Sequence, residues 1–317
     1  MNVVALSGGV GGAKLALGLS LCLDAAELTI VANTADDFTH LGLRICPDLD
    51  TVMYTLAEIN NRAVGWGQQD ETWHCLDALT NLGAESWFRL GDRDLATHLV
   101  RSEKLQSGET LSDVTTYLCQ RLHIAHRLVP MSDQAVSTQV DTDEGRLSFQ
   151  HYFVRERCEP QVTGFEFEGM ETARPSPGFQ TALVDSADNG DGPIVICPSN
   201  PFVSVEPMLR LTGVRETLRD SHRPVIAVSP IVGGEALKGP AAKMMSELGI
   251  EQSAASVASY YGDLIDGFVI DTLDAELQTS IEQIGIPTIV TNTVMVTLAD
   301  RIQLAEDVLS FAATLRP

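Results

Sequence analysis

The chain has 317 residues, 44% hydrophobic and 20% charged, which suits an α/β domain carrying an insertion and offers no apolar stretch of membrane-spanning length. A formal net charge of −22 opposes binding of a long polyanion, because nucleic-acid affinity rests on many Lys and Arg contacts to phosphate. The six cysteines lie far apart with no C-x-x-C pair, which argues against a zinc site or a disulfide framework.

The opening MNVVALSGG lacks a basic start and breaks into glycine early, so it does not read as a signal peptide, and a cytoplasmic location is expected. Apolar, β-branched runs at 3–9 and 28–37 enclose the helical pattern AKLALGLSLCL. From about 62 to 185 the rhythm changes. Helical pieces ETWHCLDALTNLG, DLATHLVRSEKL and TLSDVTTYLCQRL lead to GRLSFQHYFVRER and VTGFEFEG, which read as antiparallel strands. Runs at 193–201, 223–234, 266–271 and 287–293 then restore the strand rhythm, interleaved with VEPMLRLTGVRETLRDS and GPAAKMMSELGI and closed by RIQLAEDVLSFAATL. Such alternation predicts a Rossmann-like, mostly parallel sheet with helices on both faces. Residues 1–61 and 186–317 are expected to form the core, and 62–185 an inserted mixed α/β cap lobe.

Ligands of such sheets bind at the carboxyl ends of the strands. The first strand ends in Ser7-Gly8-Gly9-Val10-Gly11-Gly12-Ala13-Lys14, a loop whose main-chain N–H groups could wrap a phosphate at a helix N-terminus. It is not a P-loop, since Leu15 follows Lys14 where a hydroxyl is needed, and Lys14 also spoils the third glycine of a dinucleotide fingerprint. After the second strand, Asp36 and Asp37 fall near a strand end. Asp48 and Asp50 flank Leu49 in a segment expected to be extended, with a helix starting at Asp50-Thr51. Carboxylates beside a phosphate loop suit Mg²⁺, so Asp36, Asp37 and Asp48 are candidate metal ligands.

Within the insertion, WFRLGDRDLATHLVR carries Arg89 directly after two aromatics, and Asp94 and His98 at helical i,i+4 spacing. Trp66, Trp73 and Trp87 bunch there and suit either a planar ligand or a local core. Ser132 and Asp133 form a polar turn that could reach the cleft. Later, Ser199 and Asn200 between two prolines, the Gly233-Gly234 turn and Lys238 are candidates for holding a nucleotide.

In combination, SGGVGGAKL, NTADD, CPDLDTVMYTLA, WFRLGDRDLATHLVR, MSD, SFQHYFVR, PSNPFVSVEPML and VSPIVGGEALKGPAAKMM resemble the 2-phospho-L-lactate transferases of deazaflavin coenzyme biosynthesis. WGQQDETWH looks more like the bacterial branch, which uses an enolpyruvyl donor. The resemblance implies a small-molecule transferase that needs Mg²⁺ and forms homodimers. It moves a phosphoacid group from a GDP-linked donor to the ribityl hydroxyl of 7,8-didemethyl-8-hydroxy-5-deazariboflavin and releases GMP. It also implies deazaflavin contacts at Asp50 and Arg89, with Asp50 catalytic and dispensable for the fold, and the diphosphate at Gly8 to Gly12. A related family of nucleotide-sugar-binding regulators shares the glycine loop and the aspartate pair. There the aspartates run into a Gly-Ser turn, whereas Phe38-Thr39-His40 follows Asp37 here.

Overall fold

The computed structural model describes residues 2–189, 192–236 and 239–315, with backbone alone for 185–189. Lys238 therefore lies outside the described residues. The first strand, β1 (Val3–Ser7), is buried along its whole length, and its alternating side chains feed two cores. Val4 and Leu6 enter one, Val3 and Ala5 the other, as the two-residue period of a strand requires. Glycine at the strand end releases the chain into helix α1 (Gly9–Cys22), which lays Leu15, Ala16 and Leu19 on the second core and returns to strand β2 (Leu28–Ala32).

Seven parallel strands form the main sheet, in the order Thr288–Thr291, Gly267–Asp271, Val225–Val228, Ile194–Ile196, β1, β2, Arg127–Pro130. All six predicted runs of the core lie in it. The order reverses between Ile194–Ile196 and β1: connections from β1 step toward Arg127–Pro130, and those from Ile194–Ile196 step the other way. Loops leaving these two neighbours diverge and open a crevice at their carboxyl ends.

Part of the region assigned by sequence to an inserted lobe belongs to this sheet. Arg127–Pro130 pairs in parallel with β2, and the helix Leu111–Arg121 covers the second core beside it. The antiparallel portion is a three-stranded sheet of Gly145–Ser148, Ser137–Thr142 and Val162–Glu168, and its Val140, Val162 and Phe167 join the first core. Residues expected to continue the strand through HYFVR instead form a wide helical turn, His151–Arg155. Phe149 and Phe153 explain this: at i,i+4 spacing a helical turn stacks their rings at 5.5 Å, which a strand could not do. Similarly, VEPMLRLTGVRETLRDS splits into Glu206–Arg210 and Val214–Arg219, because Gly213 takes a left-handed φ of 82° between them.

Helix α1 packs closely on the C-terminal helix Leu298–Thr314, where a Cβ at Gly18 would overlap the Arg301 carbonyl oxygen. Gly18→Ala should therefore cost about 1–3 kcal/mol in urea unfolding. Gly164→Ala, where a Cβ finds no atom closer than 3.7 Å, serves as a control expected to stay within about 1 kcal/mol of wild type.

Candidate active site

The crevice holds a cleft of about 640 Å³. Its floor is the turn between β1 and α1, clamped to the turn after Ile194–Ile196. Ser199 Oγ accepts from the Gly8 N–H at 3.0 Å and donates to the Gly8 carbonyl at 2.8 Å. The glycines have a reason the sequence did not show. Side chains at Gly8, Gly11 and Gly12 would collide with Ser204, the Pro198 carbonyl, and the Ser7 and Ser199 hydroxyls, respectively. Gly9 alone of the four needs its left-handed φ, 62°. Gly8 to Gly11 line the cleft, whereas Ser7 and Gly12 lie beneath it. With Gly8 N–H taken by Ser199 and Gly9 N–H donating to Asp48, the amides of Val10 and Gly11 stay at the positive end of α1 with no carbonyl one turn earlier.

Other expected nucleotide contacts serve the protein first. Lys14 lines the cleft but donates to the Met295 carbonyl at 2.8 Å. Asn200 Oδ1 caps the turn after it, accepting from Phe202 N–H at 3.0 Å. Gly233 N–H donates to Asp274, and the Gly233-Gly234 turn is not in the cleft wall, although Val232 and Gly239 to Ala241 are.

Asp48 and Asp50 are in α2 (Pro47–Leu56), not in an extended segment: Pro47 starts the helix, and both carboxylates stand in its first turn, where the dipole favours them. Asn33, just past β2, joins Asp48 to Asp36. Its amide donates to Asp48 at 2.9 Å and to Asp36 at 3.2 Å. Burial pushes both carboxyls toward the protonated form, and the Asp48 charge raises Asp36 further. Among the described residues no group of three His, Cys, Asp or Glu side chains is arranged around a metal position. A desolvated carboxylate pair facing a phosphate-sized space nonetheless fits Mg²⁺, which takes one or two carboxylates and completes its shell with water and phosphate. Asp37 does not join the pair. It turns away from the cleft toward Arg44, at 3.3 Å, where burial outweighs the arginine and raises its pKa to about 6.

Asp50 faces the cleft from a buried cluster of polar contacts that the sequence did not reveal. Arg101, fully buried on the helix Asp92–Gln106, grips both Asp50 oxygens and donates to His98 Nδ1 at 3.1 Å. An arginine can only donate, so His98 carries its proton on Nε2, which lies 3.2 Å from Asp94 without the alignment of a hydrogen bond. Tyr54 donates to Asp94 at 2.7 Å. Burial disfavours the Asp94 charge, but His98, Tyr54 and Arg101 together hold its pKa below the usual carboxylate value. The Asp94–His98 spacing was visible in the sequence, and Arg101, seven positions beyond Asp94, lies on the same helix face.

Part of the cleft lining is aromatic. Trp66, Trp87, Phe88, Phe149 and Phe153 line the cleft together with Arg89, whose guanidinium lies 4.3 Å over the Trp73 ring. Trp73 thus supports Arg89 rather than lining the cleft. Asp133 does not reach the cleft; it accepts from Ser112 N–H at the start of the helix Leu111–Arg121. Ser132 is buried away from it as well.

A family model described as 2-phospho-L-lactate transferase CofD matches residues 3–288. A phosphoenolpyruvate transferase of Streptomyces coelicolor is 39% identical, with 100% of this chain and 99% of that protein covered. One from Streptomyces griseus is 42% identical, with 90% of each covered. Among solved structures, a UPF0052-family protein of Bacillus halodurans superposes with a TM-score of 0.62 at 14% identity, covering 97% of this chain and 98% of that one; it shares the fold.

Two predictions follow from the buried charges. Asp50→Ala, expected from sequence to spare the fold, strands Arg101 without its partner and should destabilise the protein by about 3–5 kcal/mol in urea unfolding. The native state holds the Asp37 proton more tightly than the unfolded chain, so wild type loses stability as pH rises from about 4 through 6. Asp37→Asn removes that loss. Its stability relative to wild type should increase by on the order of 3 kcal/mol between pH 4 and pH 7, and a pH-independent difference would contradict the assignment.

Proposed function

Because the chain belongs to the 2-phospho-L-lactate transferase CofD family, we propose that it transfers a phosphoenolpyruvyl group from a GDP-linked donor to 7,8-didemethyl-8-hydroxy-5-deazariboflavin in coenzyme F-420 biosynthesis. One observation carries this reading: a single cleft of about 640 Å³ unites a helix N-terminus and a carboxylate pair with an aromatic wall. A diphosphate needs the first two features and a planar deazaflavin the third. The phosphoenolpyruvate transferase names of the relatives favour enolpyruvate over lactate as the donor's acid.

The acceptor hydroxyl oxygen attacks the phosphorus bearing the acid. The bond from that phosphorus to the bridging oxygen breaks, GMP leaves with the oxygen, and the hydroxyl proton is released. Such a transfer is chiefly a matter of positioning and charge neutralisation. The Val10 and Gly11 amides hold the diphosphate. Asp36 and Asp48 would hold a Mg²⁺ ion, which when bound offsets the diphosphate charge. Asp50, with both oxygens engaged by Arg101, is a fixed hydrogen-bond acceptor for the ribityl chain rather than a mobile base. Arg89, supported by Trp73, and the rings of Trp66 and Trp87 enclose the deazaflavin. A cytoplasmic homodimer belongs to the same proposal.

Incubation with the deazaflavin and enolpyruvyl, lactyl or glyceryl GDP donors, followed by mass spectrometry, should show GMP release and one adduct, formed fastest from the enolpyruvyl donor. GDP binding with no turnover of any donor would instead favour a regulatory nucleotide-binding protein. Asp48→Asn should lower kcat/KM about 100-fold, and chelation of divalent cations should stop the reaction.

A further inference from the structure

The donor carries a charge that the features above leave unmatched. Its diphosphate meets the amides of α1 and the carboxylate-bound cation, but its acid also bears a carboxylate. Among the described cleft-lining residues the cationic side chains are Lys14, Arg89 and Arg157. Lys14 is bound to the Met295 carbonyl and Arg89 stacks on Trp73. Arg157 differs from both. Its neighbours Arg146 and Arg155 are ion-paired with Asp141, Glu166, Glu85 and Glu156, yet Arg157 is exposed with no carboxylate at ion-pair distance among the described residues. Of the cationic side chains on the described cleft lining, Arg157 is thus the one whose guanidinium no carbonyl, carboxylate or ring of the protein is seen to engage.

Its backbone is held for that placement. Arg157 and Cys158 take consecutive left-handed φ values of 52° and 60°, a conformation costly for side chains larger than glycine. The strain is fixed on both sides. Glu156 N–H donates to the His151 carbonyl at 2.8 Å and Cys158 N–H to the Tyr152 carbonyl at 2.9 Å. Lys243 donates to the Pro160 carbonyl at 3.1 Å, tying the segment to the helix Ala241–Glu247. Phe153 and Val154, one turn earlier, and Pro240 and Ala241, at the start of the tying helix, also line the cleft. Arg157 thus shares the cleft lining with aromatic Phe153 of its own segment and with the loop leading into the helix to which that segment is tied.

Resting on the donor–acceptor reading above, we infer that Arg157 recognises the carboxylate of the transferred acid, through the paired N–H fork that matches a carboxylate's two oxygens. It is a specificity-determining residue and takes no part in bond breaking.

The test compares wild type, Arg157→Gln and Arg157→Lys on two donors: the GDP-linked enolpyruvyl compound and the same ester with methyl in place of carboxylate. GDP affinity of each protein reports whether the cleft is intact. Arg157→Gln should raise KM for the carboxylate donor roughly 10- to 100-fold, leave the methyl analogue and GDP unchanged, and show little change in kcat. Arg157→Lys, which keeps the charge but not the fork, should fall between. Equal losses on both donors, or no loss on either, would overturn the assignment. Failure of wild type to use either donor would instead refute the transferase reading on which the assignment rests.

Discussion

Ser199 and Gly8, 191 residues apart, exchange two hydrogen bonds at the point where the sheet's connections part company. The rest of the site depends on this clamp. Parallel strands whose connections leave in opposite directions necessarily open a gap at their ends. The clamp fixes how far it opens, and the glycines allow the two turns to approach without side-chain collision. Once α1 is seated against the Pro198-Ser199 turn, its N-terminal amides face the gap. Asn33, at the end of the adjacent strand β2, then brings Asp36 and Asp48 to the same rim.

The electrostatics divide into two neighbouring systems with opposite logic. Asp50, Asp94, His98, Tyr54 and Arg101 form a buried network in which Arg101 and Tyr54 donate to the carboxylates and Asp50 neutralises the arginine, while His98 Nε2 and Arg101 Nε lack an aligned acceptor. Such a network supports a rigid site, because losing one partner leaves an uncompensated buried charge. Asp36 and Asp48 are the reverse. They share one amide donor, lose solvent and repel each other, a state that a bound cation relieves. An acidic surface is thus compatible with the anionic substrates proposed, since the neutralising charge would be supplied locally.

Much of the fold was legible because buried parallel strands leave an unambiguous record: short β-branched runs ending in glycine, serine or asparagine. Arg127–Pro130 escaped because a four-residue edge strand beginning with arginine and ending with proline carries little of that record. The turn at His151–Arg155 escaped because its helicity comes from Phe149 stacking on Phe153, a pairing that sequence alone does not distinguish from a strand's apolar content. In the site, the residue types were readable but not their partners. Asp37 was grouped with Asp36 by adjacency, yet neighbouring residues in an irregular turn point apart, and Arg44 takes Asp37. Asp50 was read as a free functional carboxylate, and only the fold brings Arg101 across 51 residues to meet it. Arg157 gave no signal, because its left-handed backbone and its place on the cleft lining appear only in the fold.

The central claim is that the amides of α1 and the Asp36–Asp48 pair act on one diphosphate through a shared cation. Anomalous scattering from crystals grown with Mn²⁺ and GDP tests it most directly. The account predicts an ion peak bridging the Asp36 and Asp48 carboxylates to the phosphates, with the phosphate oxygens on the Val10 and Gly11 N–H groups. A nucleotide bound with its phosphates elsewhere, or an ion held without either aspartate, would contradict it.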